Sequence, residues 1–383
     1  MAFLILFGIP ALVALGFLIF GKYRITLWEF LAQLGAQAIV AGVSIGIAYY
    51  ANTHDTEVWN AKVVSKSREE GSCVHAYPCN CRMVSCGEDC EYLDCDICFM
   101  HSYDVSWYVR NNIGERFTIA TVDMQGLIEP KRWTVVEKDD PTTTSHGYTN
   151  YIKAAPGTLF KRENEFEKFQ ATLPEYPLDI YDYYHLNRVI SVGVNLPNLN
   201  HWNGHLMVMN SNLGPAKKVN VVVVIVANQP PEWFPALEAK WVGGKKNDVI
   251  PVIGVNPDLT IRWVDVMAWV KSEMVKITIR DDLLALGKLD RIPVMDIIGR
   301  NVVQHYVRQP MSEFEYLKAS ITPSPFAMTI SLVIGVIVAV GLGIFFYLHE
   351  TFTPEDGGDN RPTPFWEPSG RPPRLTRYTG GRR

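Results

Sequence analysis

Three runs of this chain are apolar on every side. Ala2–Phe20 is unbroken, Ile25–Tyr50 is interrupted only by Thr26, Glu29, Gln33, Gln37 and Ser44, and Phe326–Leu348 carries no charge. A helix needs about 20 apolar residues to cross the hydrocarbon core of a bilayer. Each run therefore predicts a membrane-spanning helix. The first has no basic n-region, and no small-x-small cleavage site precedes Lys22, so it reads as a retained span rather than a cleaved signal.

Between the second and third runs the pattern changes to period two. In residues 55–68, Trp59, Ala61 and Val63 face one way and Asn60 and Lys62 the other. In residues 102–110, Tyr103, Val105, Trp107 and Val109 oppose Asp104, Ser106 and Arg110. Such alternation predicts half-buried strands. The two strands flank a cysteine block, which suggests a long antiparallel hairpin with the block as its tip. Further strands are expected at Phe117–Val122, Arg132–Glu137 and Tyr184–Val194, and Pro141-Thr142-Thr143-Thr144 reads as a loop.

The character shifts again near Gly214-Pro215. Val221–Val226 is a continuous apolar strand, as in a sheet covered on both faces. Pro230-Pro231 precedes the helical spacing of Trp233, Leu237 and Trp241, and Gly243-Gly244 supplies a stop. A second apolar strand, Val249–Val255, turns through Asn256-Pro257-Asp258 into Thr260–Val270, and a helix is expected across Val294–Val307. This order predicts a compact α/β sandwich. Ser312 with Glu315 has capping-box spacing, and Ser324-Pro325 would break that helix before the last apolar run. After His349 the chain is rich in Pro, Gly and Arg and too poor in aliphatic residues to form a core, so disorder is expected. The whole is read as an α+β membrane protein. Its segments are a helical hairpin (1–50), a β-rich module (51–213), an α/β module (214–325), a third span (326–348) and a basic tail (349–383).

Charge adds a direction. The net charge of −4 gives no nucleic-acid signature. Lys22 and Arg24 lie in the turn between the first two runs, and Arg361, Arg371, Arg374, Arg377, Arg382 and Arg383 lie in the tail. Under the positive-inside rule the turn and tail are cytoplasmic, which puts the N-terminus and residues 51–325 outside the cytoplasm. Arg371-Pro372-Pro373-Arg374 and Arg382-Arg383 could equally serve an anionic headgroup or an acidic partner. The absence of an Asn-x-Ser/Thr sequon from residues 51–325 favours a bacterial or viral source over a eukaryotic secretory one.

Candidate chemistry is concentrated in one place. All seven cysteines, Cys73, Cys79, Cys81, Cys86, Cys90, Cys95 and Cys98, fall in one short stretch bordered by His75 and His101. Outside the cytoplasm these residues favour three disulfides and one leftover thiol. The alternative is zinc: Cys79-x-Cys81 and Cys95-x2-Cys98 are chelating spacings, and a histidine would complete eight ligands for two sites. Glu29, Gln33 and Gln37 share one helix face, where they would pair inside a bundle or line a proton or ion path. In His201-Trp202-Asn203-Gly204-His205 the Asn-Gly step argues for a turn with two solvated histidines. Asp281-Asp282 beside Arg280 reads as a solvated turn or helix cap. No nucleophile–base set, phosphate-cradling loop or dinucleotide fingerprint is present.

The stretch from Val221–Val226 through Trp233–Trp241 and Gly243-Gly244-Lys245-Lys246-Asn247-Asp248 to Val249–Val255 resembles the TPM domain family. The cysteine block followed by His101-Ser102-Tyr103-Asp104-Val105-Ser106-Trp107 is similar to uncharacterised membrane proteins of large tailed bacteriophages. The first resemblance implies a membrane-tethered, extracytoplasmic α/β domain. It also implies metal-dependent phosphatase activity for some members, carried by acids at strand ends. The acids available are Asp248, Asp258, Asp281 and Asp282, and none matches a family motif. The expected function is therefore a membrane-anchored envelope protein with a binding or scaffolding role, with a TPM-like phosphatase as the alternative. Expected partners are the lipid bilayer, other membrane or envelope proteins and a second copy of the chain. The cofactor the cysteine cluster could take is zinc.

Overall fold

A computed structural model describes residues 2–21, 25–87, 90–155, 167–177 and 187–349 of the 383-residue chain. The basic turn and the basic tail fall outside these residues. In chain order the main elements are α1 (Ala2–Phe20), α2 (Leu27–Thr53), β1 (His54–Gly71), β2 (Ala76–Gly87), β3 (Cys90–Phe99), β4 (Asp104–Asn111), β5 (Arg116–Ile119) and β6 (Pro141–Thr149). Then come β7 (Val189–Val192), α3 (Leu199–Lys217), β8 (Asn220–Val221), β9 (Val223–Ala227), α4 (Trp233–Trp241), β10 (Asp248–Val255), β11 (Ile261–Ala268), α5 (Met274–Leu286), α6 (Arg291–His305) and α7 (Pro325–Leu348). The chain divides into two units, Met1–Ala51 with Thr322–Arg383, and Asn52–Ile321.

In the first unit, α1, α2 and α7 are each long and apolar enough to cross a membrane. Glycines let α1 and α7 approach closely. A Cβ on Gly343 would sit 2.5 Å from the Phe17 ring, and one on Gly335 would sit 2.9 Å from Pro10. Small residues at such crossings are the usual device where neighbouring surfaces are all apolar. The start of α2 is a capping box: Glu29 accepts from Thr26 N–H (2.7 Å) and Oγ–H (3.0 Å), while Glu29 N–H donates to Thr26 Oγ (3.3 Å). Glu29 is thus engaged in capping as well as lying on the buried face with Gln33 and Gln37. The Gln37 amide, oriented to satisfy both groups, bonds Gly335 O at 3.1 Å and Ala339 N at 3.2 Å. Ser324-Pro325 begins α7, with Ser324 Oγ accepting from Ala327 N–H at 3.2 Å.

Gln33 differs from its two neighbours. Both of its amide atoms are buried and have no hydrogen-bond partner among the described residues. An unsatisfied buried polar group costs about 1–3 kcal/mol. Gln33→Leu in the full chain in detergent is therefore expected to raise the melting temperature. A drop would show that Gln33 has a partner beyond the described residues.

The second unit holds two sheets and a hairpin. The first sheet has the order β5-β4-β1-β6, all antiparallel. The long strand β1 pairs with β6 through residues 54–62 and with β4 through residues 63–71. Its core is Val63, Val105, Trp107, Val109, Ile119 and Val136. Several expectations change here. Pro141–Thr144 is not a loop but the start of β6, with Thr142 and Thr143 buried against β1. Arg132–Glu137 is not a strand: a helical turn, Lys131–Thr134, lays Trp133 edge-on against Trp107 at 4.7 Å. The strand expected from Tyr184 is β7, and residues 184–186 lie outside the described residues.

The second sheet runs β11-β10-β9-β7, with β8 also on β10; β7, β9 and β10 are parallel and β11 is antiparallel. Alternate residues of the valine run point to opposite faces. Val221, Val223 and Ile225 meet Leu206 and Leu213 of α3, Val275, Ile279 and Leu283 of α5, and Val294, Ile298 and Val302 of α6. Val222, Val224 and Val226 meet Trp233, Leu237 and Trp241 of α4. Val242, Gly243 and Gly244 all take positive φ and end α4, where Gly-Gly was expected to stop it.

Two of the longer helices were not anticipated, α3 and α5. The boundary set at 213/214 falls inside α3, and so do His201 and His205, which are helical rather than in a turn. A Cβ on Gly214 would lie 2.1 Å from Asn60 O, so α3 crosses β1 at this glycine and no larger residue fits. Asp281 and Asp282 lie within α5 rather than at a turn or cap. The Ser312 capping box does not form: Met311–Ser320 is a 3-10 helix that Pro310 precedes, with no side-chain cap bond.

Candidate metal centre

The β1–β4 ladder closes at the Gly71–Asp104 pair. Beyond it β2 and β3 make the tip, paired from Ala76–Phe99 to Gly87–Cys90 with register shifts between Cys79 and Arg82 and between Ser85 and Gly87. None of the described side chains in residues 76–99 is buried. An isolated hairpin without a buried face is marginal in water. Cross-links compensate: Cys79–Cys98 and Cys81–Cys95 are disulfides, and Cys86 is disulfide-bonded as well. The side chain of Cys90 lies outside the described residues. Pairing of Cys79, Cys81, Cys95 and Cys98 removes the thiolates that two zinc sites would need.

Cys73 stands apart as a buried free thiol at the neck. Its Sγ lies 3.9 Å from His75 Nδ1 and 3.7 Å from His101 Nδ1. Asp104 joins them, with Oδ2 at 3.1 Å from His75 Nδ1 and Oδ1 at 3.3 Å from His101 Nδ1. One ligand atom from each of the four residues lies within 4.8 Å of all the others. Backbone amides hold the set: Val74 N–H donates to Asp104 Oδ2 (2.8 Å) and His75 N–H to Cys73 Sγ (3.4 Å). The Val74 bond, above all, keeps the Asp104 carboxyl below the usual carboxylate range. A thiolate, two imidazoles and a carboxylate make a donor set that could hold a transition metal. Among the described residues it is the one such grouping of His, Cys, Asp and Glu. Cys73, His75 and His101 were sequence candidates; Asp104 was hidden as a polar-face residue of β4.

The candidate acids do not gather. Asp258 caps its turn through Thr260, Asp281 pairs with Arg280, and Asp282 pairs with Arg300 and Asn301. Asp248 is fully buried and accepts from Tyr176 OH (2.7 Å), Lys245 N–H (2.8 Å) and Asn220 Nδ2 (2.8 Å). Burial pushes its carboxyl up. The α3 histidines do not form a chelate with acids either. His201 lines a cavity of about 280 Å³ with Trp202, Asp290 and Arg291, while His205 Nδ1 lies 2.9 Å from Arg291 Nη1.

Asp248 belongs to a buried polar seam along β1 that the sequence pattern did not reveal. Asp55 pairs with Lys245 and accepts from Asn150 (2.8 Å) and Tyr148 (3.2 Å). Glu57 takes Arg308, His146 (3.1 Å) and Trp59 Nε1 (2.9 Å). Asn60 donates to Asn220 (3.1 Å), and Asn247 donates to Val58 O (2.7 Å). The seam sews the first sheet to the Gly243–Asp248 loop of the second.

Asp55 gives this seam a pH dependence. Burial alone would raise its pKa, but Lys245, Asn150 and the Thr56 N–H together hold it below the usual value. A depressed carboxyl stabilises above its unfolded pKa, about 3.9, and that contribution is lost as pH falls through the folded value. Asp248, shifted upward, acts oppositely: its contribution weakens as pH rises through its folded pKa. Urea midpoints of wild type and Asp55→Asn measured below pH ~4 should converge. Parallel acid slopes would sink this assignment. No protein-family model, curated protein or solved structure matches the chain.

Proposed function

We propose that this chain is a membrane-anchored envelope protein that binds or scaffolds another envelope protein through the disulfide-pinned hairpin. The observation that carries the reading is the apolar face of that hairpin. Leu93, Ile97 and Phe99 follow each other at even spacing on β3, and Met83 pairs with Leu93. They are 60, 72, 56 and 60% exposed, in the order Leu93, Ile97, Phe99, Met83. Successive even positions share a face, and a contiguous exposed apolar face marks an interaction surface. The opposite face carries the Arg82–Asp94 pair, with Tyr77 and the Val84–Tyr92 pair on the same side.

The three apolar helices support insertion in the bilayer, and the Lys and Arg positions support residues 51–325 lying outside the cytoplasm. The parallel β9–α4–β10 unit with its Gly-Gly turn supports a TPM-like α/β half. Acids that are scattered and individually paired favour binding over phosphate hydrolysis.

The test places a photo-crosslinking residue at Leu93 or, as control, at Asp94, in full-length chain in its own membrane. Crosslinks to a discrete protein from Leu93 and not Asp94, abolished by Ile97→Asp, are expected. Crosslinks to lipid alone, or equal crosslinking from both faces, would overturn the reading.

A further inference from the structure

We propose that Cys73, His75, His101 and Asp104 bind a single zinc-class divalent cation as a closed, structural four-ligand site. This goes beyond the display role above and does not depend on it. The argument is geometric. With Zn–N and Zn–O bonds of about 2.0–2.1 Å and Zn–S of about 2.3 Å, a tetrahedral site has N···O edges of about 3.3 Å and N···S edges of about 3.6 Å. The two His–Asp separations are 3.1 and 3.3 Å, and the two Cys–His separations are 3.9 and 3.7 Å. The two Cys–His edges meet at one sulfur, and each histidine has a carboxylate oxygen at edge distance, Oδ2 for His75 and Oδ1 for His101. An ion would take one of the two oxygens, while one ligand atom from each residue already lies within 4.8 Å of the rest. Both histidines aim the same nitrogen, Nδ1, at the thiol and the carboxylate.

The surroundings resemble an outer coordination shell. Val74 N–H fixes the carboxylate and His75 N–H reaches the sulfur. Such contacts orient ligands and tune their basicity. The cysteine pairing fits too. With Cys79, Cys81, Cys86, Cys95 and Cys98 in disulfides, Cys73 is the free thiol among the described residues, and an odd cysteine suggests a link to another chain or a free thiol. Cys73 is only 6% exposed, which argues against a link to another chain. A metal-bound thiolate gives it a stable state beside disulfides. Four protein ligands leave no open position, so the site is structural rather than catalytic.

The position in the chain supplies the purpose. Cys73 and His75 precede β2, while His101 and Asp104 follow β3. The ion would tie the outgoing and returning strands where the β1–β4 ladder ends, fixing the tip on its stalk. Binding releases the Cys73 thiol proton and any proton on either Nδ1 to solvent.

The test uses full-length protein with its disulfides intact, purified without a metal-affinity tag. Equimolar zinc measured by mass spectrometry is expected. After exchange to cobalt, the intense visible bands of a four-coordinate site and a sulfur-to-cobalt charge-transfer band are expected. His101→Ala and Asp104→Asn should each weaken zinc by at least the ~10–100-fold that outer-shell changes cost. Zinc should also slow alkylation of Cys73 in the wild type, and a chelator should restore it. Cobalt spectra lacking the sulfur band, or alkylation indifferent to zinc, would reduce the cluster to hydrogen bonds between Asp104 and the two imidazoles. Because both readouts use the wild type, they hold even where a ligand variant fails to fold.

Discussion

Glu57→Ala is expected to destabilise the Asn52–Ile321 unit by about 3–5 kcal/mol, the usual cost of breaking a buried ion pair from one side. Glu57 is 0% exposed and its Oε1 gathers Arg308, His146 and Trp59 Nε1. The alanine would leave the Arg308 guanidinium, whose side chain is only 19% exposed, without its counter-charge. The penalty is therefore a desolvated cation as much as a lost bond. Arg308 follows α6 and makes the Val270–Arg308 bridge, so the pair holds the α/β half against β1. Glu57 Oε2 is buried without a hydrogen bond among the described residues, which makes the pair expensive to keep. Glu57→Leu with Arg308→Leu should recover most of the loss, since an apolar replacement of both partners is often neutral. Urea midpoints for Glu57→Ala, Arg308→Ala and the double alanine variant decide the matter. Strict additivity of the single effects would mean that the two side chains do not act as a pair.

The same seam shows where sequence pattern stops short. Alternation found β1 and β4 because Val63, Val105, Trp107 and Val109 pack one core. It also assigned Asn60 to water, whereas Asn60 bonds Val219 O and Asn220 from the other sheet. A polar face is legible; a second layer that satisfies it is not, because the partners lie about 160 or more positions away. Helix α3 was masked by Asn203-Gly204 and Pro215, yet Trp202, Leu206, Asn210 and Leu213 keep a helical buried face. Asn210 bonds the Val221 backbone both ways, which explains a polar residue there. For α5 the signal was present: Val275, Ile279 and Leu283 recur at helical spacing, but Arg280-Asp281-Asp282 drew attention to its solvent side. At the cysteine block, composition named three of the four neck residues. It could not pair the cysteines or show that disulfides and a metal-competent cluster share one hairpin.

That division of labour sets the second large effect. Serine at Cys79, Cys81, Cys95 and Cys98 is expected to release the tip while leaving the two sheets folded. Each bridge closes a loop of 14 or 19 residues, and a loop near 15 residues is worth about 3 kcal/mol of restricted unfolded-chain entropy. Among the described residues the tip has no buried side chain to offset that loss. The sheets do, with Val63, Val105 and Val109 of the first at 0–2% exposure. Amide exchange should therefore rise across residues 76–99 and stay slow in β4, and trypsin should begin to cut at Arg82. Unchanged protection at the tip would mean that backbone pairing alone holds it. The outcome also bears on the neck. His75 and His101 are brought together from opposite strands, so a released tip should loosen metal there, whereas Cys73→Ser should leave the tip disulfides closed. An ordered dependence of this kind, tip before neck, would identify the cross-links as the scaffold that presents both the apolar face and the metal ligands.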